Sequence, residues 1–173
     1  MPTWIAFFRG INVGGNNLLP MKSLVAILEK LGYEGIQTYI QSGNAVFRCP
    51  QKNAAEVEKQ ISKAIAKTHG FAPRVLLLSL AELQRAVEAN PFPQATGDEK
   101  SPHLFFLAQT PRKVDIDKLN ELKAPTESFE LTKTVFYLYA PAGIGKSKLA
   151  TRAEKILGVD ATARNWQTVT KVA

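Results

Sequence analysis

Apolar and polar positions along this chain switch between two periods, and glycine, proline or asparagine marks most of the changes. Residues 4–9 (WIAFFR) are a short apolar run of strand length, broken by the Gly/Asn stretch INVGGNN. Pro20 suits the first turn of a helix. Leu24, Ile27, Leu28 and Leu31 then share one helical face, and Gly32 stops it. Residues 36–40 and 45–48 read as strands around Gln41-Ser42-Gly43-Asn44, a hairpin signal. Asn53 with Glu56 resembles a capping box. It opens a helix that turns Val57, Ile61 and Ile65 inward and ends at Gly70. Residues 74–78 form a buried strand. The predicted order β-α-β-β-α-β is the split βαβ, ferredoxin-like pattern.

Ser79 and Glu82 cap a further helix, with Leu83 and Val87 inward, and Asn90-Pro91-Phe92-Pro93 ends it. The polar, turn-rich stretch that follows makes residues 91–102 the linker. The order then repeats. Residues 103–108 are a strand, 114–122 a short helix, 127–131 and 134–140 a hairpin, and 146–157 a helix ended by Gly158. Trp166 and Val169 sit at helical spacing, so residues 162–172 are expected to be a terminal helix, although Thr and Val also fit a strand. The expected fold class is α+β. Two ferredoxin-like halves with antiparallel sheets occupy residues 1–90 and 103–173, and the second ends in a helix.

Composition adds bounds. At 173 residues, 45% hydrophobic and 21% charged, the chain is long enough for one large core or two small ones. No apolar run approaches the ~18–20 residues of a membrane span, and the N-terminus MPTWIAFFRG carries no signal-peptide pattern. A lone Cys49 forbids an intrachain disulfide and fits a reducing, cytoplasmic setting. The net charge of +7 is uneven: residues 1–90 carry +4, residues 91–140 carry −1, and residues 141–173 carry +4. A basic tail points to an anionic partner, nucleic acid or a phosphorylated small molecule, or serves solubility alone.

The sharpest chemical signal is APAGIGKSKL at residues 140–149, between a strand-like and a helix-like run. A phosphate-binding P-loop needs Gly, four residues, then Gly-Lys-Ser/Thr. Gly145, Lys146 and Ser147 fit, but Ala140 stands where the first Gly belongs. Gly143, Gly145, Lys146, Ser147 and Lys148 can form an anion nest before a helix. NTP hydrolysis also needs an acidic metal ligand at a strand end. Strands ending in Arg48, Leu78 and Ala108 do not supply one, and Asp115 and Asp117 fall in a helix-like stretch. An anion site and a plain strand–turn–helix corner both stay open.

A second set of candidate ligand-binding residues is polar, donor-rich and free of carboxylates: Arg9, Asn12, Gln41, Ser42, Asn44, Arg164 and Asn165, with Gly14 and Gly15 permitting close approach. Such donors suit phosphate or a nucleobase and suit acid–base hydrolysis poorly. Turn chemistry at residues 42–44 and a helix start at residues 164–166 explain the same residues without a ligand. His69, His103 and Cys49 show no metal or nucleophile pattern. Tyr39, Phe47, Phe105, Phe106, Phe136, Tyr137 and Tyr139 are either core or an RNA platform. The functional expectation is an anion-binding protein without a cofactor or metal. An enzyme acting on a phosphate-containing small molecule at the same site, or a structural protein, are the alternatives.

Three blocks in order, FFRGINVGG (7–15) leading to Pro20-Met21, TYIQSGNAVF (38–47), and PAGIGKSKL (141–149) followed by TARNWQTVTK (162–171), resemble the bacterial family called domain of unknown function 1697. The resemblance runs end to end, with Gln167 where Asn is expected and Lys146 where Arg is common. It implies a small α+β protein of two ferredoxin-like halves and no established activity.

Overall fold

The computed structural model describes residues 1–41, 43–92 and 101–173. Its contacts divide the chain into two units, Met1–Arg85 with Val172–Ala173, and Ala86–Lys171. Ser42 and most of the expected 91–102 linker lie outside the described residues.

The first half runs β1 (Thr3–Arg9), α1 (Met21–Lys30), β2 (Glu34–Tyr39), β3 (Asn44–Arg48), α2 (Ala54–His69), β4 (Arg74–Ser79). Its strands pair antiparallel in the order β2-β3-β1-β4. The second half repeats this with β5 (Pro102–Leu107), α4 (Ile116–Leu122), β6 (Ser128–Leu131), β7 (Val135–Tyr139), α5 (Lys148–Leu157) and β8 (Ala161–Asn165), in the equivalent order β6-β7-β5-β8. Each closing strand runs straight into an added helix, α3 (Leu80–Glu88) after β4 and α6 (Trp166–Val172) after β8. Both junctions carry a side-chain cap: Ser79 Oγ accepts from the Glu82 amide at 3.2 Å, and Asn165 Oδ1 from the Thr168 amide at 2.9 Å.

Period sets the packing. In α2, Val57, Ile61 and Ile65 recur every fourth residue and are fully buried against Trp4, Ala6, Phe8, Ala45 and Phe47. Leu149, Ala153 and Leu157 of α5 do the same against Phe105, Leu107, Phe136 and Leu138. Phe136 packs edge-on to Phe105 at 5.5 Å between ring centroids and tilted to Phe129 at 5.6 Å. Each such fully buried side chain contributes about 1.5–3 kcal/mol. The central strands are buried on both faces, since Ile5 and Phe7 are as inaccessible as Ala6 and Phe8.

Four local expectations change. Residues 162–172 are not one helix: Ala161–Asn165 pairs with β5, from His103↔Asn165 to Leu107↔Ala161, and α6 starts only at Trp166. An edge position beside β5 wins over the helical spacing. Likewise α4 begins at Ile116 with Asp115 as its cap, and α5 begins at Lys148 after a 3-10 turn at Ile144–Lys146. The capping box at α2 is half made as read. Asn53 Oδ1 accepts from the Glu56 amide at 3.3 Å, but the Asn53 amide donates to Gln51 Oε1 at 3.0 Å.

Glu58 on α2 accepts from the Leu77 amide of β4 at 3.0 Å. It thereby covers part of the backbone of an edge strand. Burial pushes its carboxyl above the usual range, partly offset by this hydrogen bond. A raised folded-state value means that the folded protein prefers the protonated acid. That contribution is fully present below the unfolded carboxylate pKa and is lost as pH rises through the folded value. Glu58→Gln keeps an acceptor without the charge. It is expected to raise the urea midpoint at pH 7 and to lose that advantage near pH ~4, around the unperturbed carboxylate value. A difference between variant and wild type that does not change with pH would contradict this assignment.

Candidate functional site

The donors of the first half are mostly consumed by the fold itself. Asn12 adopts a left-handed backbone (φ 53), a conformation Asn tolerates. Its Nδ2 donates to the Leu19 and Gln41 carbonyls, both at 2.8 Å, and its Oδ1 accepts from the Leu19 amide at 2.7 Å. A carboxamide has two N–H donors, so both donors of this side chain are engaged, and it ties the β1–α1 loop to the β2–β3 turn. Asn17 Nδ2 donates to the Gly10 carbonyl at 3.0 Å, and fully buried Asn44 donates to the Tyr39 carbonyl at 2.8 Å. Gly14 and Gly15, both at positive φ, are the two turn residues between the bridge partners Val13 and Asn16, as a primed hairpin turn requires. Arg9 ends β1 opposite Arg74 of β4, and the Gln41 side chain is exposed.

The residue 140–148 segment is likewise bound to itself. The Gly143 amide donates to the Ala140 carbonyl at 3.0 Å, Lys146 to Gly143 at 3.2 Å, and Ser147 to Ile144 at 3.1 Å. Ser147 is buried, and its Oγ accepts from the Ala150 amide at 3.0 Å as the cap of α5. In a P-loop the equivalent hydroxyl serves Mg²⁺; here it serves the helix. Ser147→Ala is expected to cost about 1 kcal/mol by urea denaturation, while any phosphate binding measured by calorimetry changes less than roughly twofold, under ~0.5 kcal/mol. A large loss of affinity with unchanged stability would restore the hydroxyl as a ligand.

What the turn does offer lies beside it. Lys146 and Lys148 flank the start of α5, and α4 packs on α5. This brings Lys118 and Lys123 to the same place. A cleft of about 470 Å³ is lined by these four lysines with Glu121, Leu122, Ala124, Glu127 and Ser147. Its two carboxylates are occupied. Glu121 pairs with Lys118 at 3.3 Å, and buried Glu127 accepts from the Ala124 amide at 2.8 Å. Lys123 Nζ donates to the Glu127 carbonyl at 3.2 Å. Lys146 and Lys148 are exposed and make no side-chain hydrogen bond or ion pair with a described residue. Lys118 and Lys123 were not among the sequence candidates. Nothing in local spacing links them to a turn over twenty residues away; helix packing does.

Arg164 and Asn165 end β8, at the same end of the second sheet as Ala140, but they do not line this cleft. Asn165 is the cap of α6. Burial pushes the Arg164 guanidinium down to about 10, so it stays charged at neutral pH, and it donates to its neighbour's carbonyl at 2.9 Å. His103 is pushed down by burial, with Nδ1 at 3.2 Å from the Ser101 carbonyl. Burial holds the Cys49 thiol up, and the residue is fully enclosed. Phe47, Phe105, Phe106, Phe136 and Tyr137 are buried in core rather than displayed as a platform, with Tyr39 and Tyr139 partly so. The Tyr137 hydroxyl, raised to about 12 chiefly by burial, donates to the Ala86 carbonyl at 2.7 Å. Among the described residues no cluster of His, Cys, Asp and Glu is placed to hold a metal ion, and no helix is long and apolar enough to cross a membrane.

A family model described as "Protein of unknown function" matches residues 1–137, ending just before the third sequence block. A solved structure of a conserved bacterial protein from Streptococcus pneumoniae aligns over 99% of this chain and 96% of its own, with a TM-score of 0.74 and 24% identity. That likeness establishes the shared fold. No curated protein matches the sequence.

Proposed function

We propose, for a chain that belongs to the DUF1697 family of proteins of unknown function, that its second half binds a phosphate-bearing ligand in the lysine-lined cleft at the start of α5. The supporting observation is the convergence of Lys118, Lys123, Lys146 and Lys148 on one cleft whose two carboxylates are already engaged. The helix start adds its partial positive charge to the ammonium groups. A volume of about 470 Å³ falls within the roughly 300–1,000 Å³ typical of small-ligand sites. No aromatic residue is among the large exposed hydrophobics of the described residues, which offers bases little stacking surface. Both points favour a phosphorylated small molecule over nucleic acid. Binding, not hydrolysis, is the role this geometry supports. Ser147 caps a helix, and neither cleft carboxylate is placed as a free general base.

The test is calorimetric titration with pyrophosphate, a nucleoside triphosphate and a short single-stranded RNA, at two salt concentrations. Pyrophosphate and nucleotide are expected to bind, and Lys146→Ala with Lys148→Ala to weaken them by about tenfold or more, on the order of 1.4 kcal/mol. RNA as the preferred ligand would reassign the cleft to a nucleic-acid backbone. Its log-affinity would then fall with log salt at a slope near −3, roughly 0.7 per phosphate for four lysines. Absence of binding by all three probes, or binding untouched by the double variant, would remove the proposal.

A further inference from the structure

Glu127, which lines the lysine cleft, is only 5% exposed, whereas the side chain of the other carboxylate there, Glu121, is 69% exposed. Its place is set locally. The Glu127 amide donates to the Ala124 carbonyl at 2.9 Å, and the Ala124 amide donates back to Glu127 Oε1 at 2.8 Å. This reciprocal pair closes the turn between α4 and β6, so the carboxylate cannot swing away without opening the turn. Only one oxygen is used. Among the described residues, Oε2 has no hydrogen-bond or ion-pair partner. No buried side-chain oxygen or nitrogen of the described residues lacks a partner, so Oε2 is not sealed in; it opens to the cleft that Glu127 lines. An amide oxygen accepts as a carboxylate oxygen does, so Gln would close the turn equally well. The charge, and the second acceptor, are surplus to the fold.

The four lysines are not equivalent either. Lys118 is paired with Glu121 at 3.3 Å, and Lys123 Nζ is held on the Glu127 carbonyl at 3.2 Å. Lys146 and Lys148, exposed at the start of α5, are the two ammonium groups of the cleft without a partner among the described residues. Two such cations match a phosphate monoester, which carries about −1.5 to −2 at pH 7. A triphosphate would leave excess negative charge beside Glu127. Oε2 repels phosphate oxygens and takes only a donor. Lys123, held on the same residue, disfavours an ammonium as that donor, which leaves a neutral hydroxyl. Leu122 and Ala124 add apolar lining for the carbon skeleton between the two ends. On the premise that the cleft binds phosphate as proposed above, we infer that its ligand class is a phosphorylated polyol, a sugar phosphate. The phosphate sits on Lys146 and Lys148, and a hydroxyl donates to Glu127 Oε2. A hydrogen bond to a charged acceptor of this kind is expected to favour the hydroxyl-bearing ligand by about tenfold or more.

The test is calorimetry on the full chain with glucose 6-phosphate, methyl phosphate, O-phosphoethanolamine, pyrophosphate and unphosphorylated glucose. Glucose 6-phosphate is expected to bind about tenfold or more tightly than methyl phosphate or O-phosphoethanolamine, and glucose alone not to bind. Pyrophosphate reports the phosphate site without any hydroxyl. Glu127→Gln keeps the acceptor for the Ala124 amide and turns an N–H donor toward the cleft in place of Oε2. It is expected to lower glucose 6-phosphate to the level of methyl phosphate, while methyl phosphate and pyrophosphate bind as well as before or more tightly, since a negative charge is gone. Retained pyrophosphate binding shows that the variant is folded with its cleft intact. If Glu127→Gln does not fold, the wild-type ratio of glucose 6-phosphate to methyl phosphate decides alone. Lys146→Ala is expected to weaken all the phosphate probes alike. Equal binding of glucose 6-phosphate and methyl phosphate, preference for O-phosphoethanolamine, or a glucose 6-phosphate preference that survives Glu127→Gln would each overturn the inference. In those cases pyrophosphate binding weakened by Lys146→Ala leaves the phosphate reading standing, whereas no binding of any phosphate probe removes both.

Discussion

Gly43→Ala is expected to destabilise the protein by about 3 kcal/mol or more, lowering the thermal midpoint by roughly 10 °C in a chain of this size. Gly43 sits at φ +94 in the β2–β3 turn, where its carbonyl accepts from the Phe8 amide at 2.9 Å. A Cβ placed there meets Ile11 Cδ1 at 2.5 Å and Phe8 Cβ at 2.8 Å. Both residues are essentially fully buried, so neither has space to give way. Backbone strain of about 1–3 kcal/mol adds to overpacking of about 1–3 kcal/mol. Gly145→Ala is the control. A Cβ there meets nothing within 4 Å and the backbone is not at positive φ, so stability is expected to change by less than about 0.5 kcal/mol. Urea denaturation of the two variants decides it; equal midpoints would mean that the β2–β3 turn is not packed against Phe8 and Ile11 in solution.

Asn12→Ala is expected to cost about 2–4 kcal/mol, because three backbone groups lose their partner at once. Leu19 is fully buried, so its orphaned amide is the expensive one, whereas water reaches the exposed Gln41 region. Asn12→Asp is the more telling change. The carboxylate keeps the Leu19 amide but faces the Leu19 and Gln41 carbonyls with an oxygen where Nδ2 donated. It is expected to be at least as damaging as alanine at neutral pH and to recover in part below about pH 4, where an Asp regains a proton to donate. Amide exchange at Leu19 together with the urea midpoint is the measurement. Protection of Leu19 that survives Asn12→Ala, with stability unchanged, would return Asn12 to the pool of ligand donors.

The two halves were legible in the sequence because their determinants are local. Val57, Ile61 and Ile65 before Gly70, and Leu149, Ala153 and Leu157 before Gly158, state a helix, its buried face and its stop within a few turns. The Ser79–Glu82 box is as local, and both of its bonds form. The strand at Ala161–Asn165 was not legible. Trp166 and Val169 satisfy helical spacing, and only the open edge of β5, more than fifty residues earlier, makes Ala161–Asn165 a strand.

The same division runs through the candidate sites. Sequence by itself marked Asn12, Asn44, Ser147 and Asn165 as polar hydrogen-bonding residues next to loops or helix starts, which is all that residue type and spacing contain. Tertiary structure decided where those bonds go: into Leu19 and Gln41, Tyr39, the start of α5 and the start of α6. A donor's availability depends on which carbonyl or amide the fold brings within about 3 Å, and that is a property of distant chain segments. The lysine cleft is the converse case. Lys146 and Lys148 were visible beside their glycines, but Lys118 and Lys123 joined them only when α4 packed against α5. Charge along a chain is written in the sequence, whereas convergence of charge is set by the packing of apolar faces that carry no charge at all.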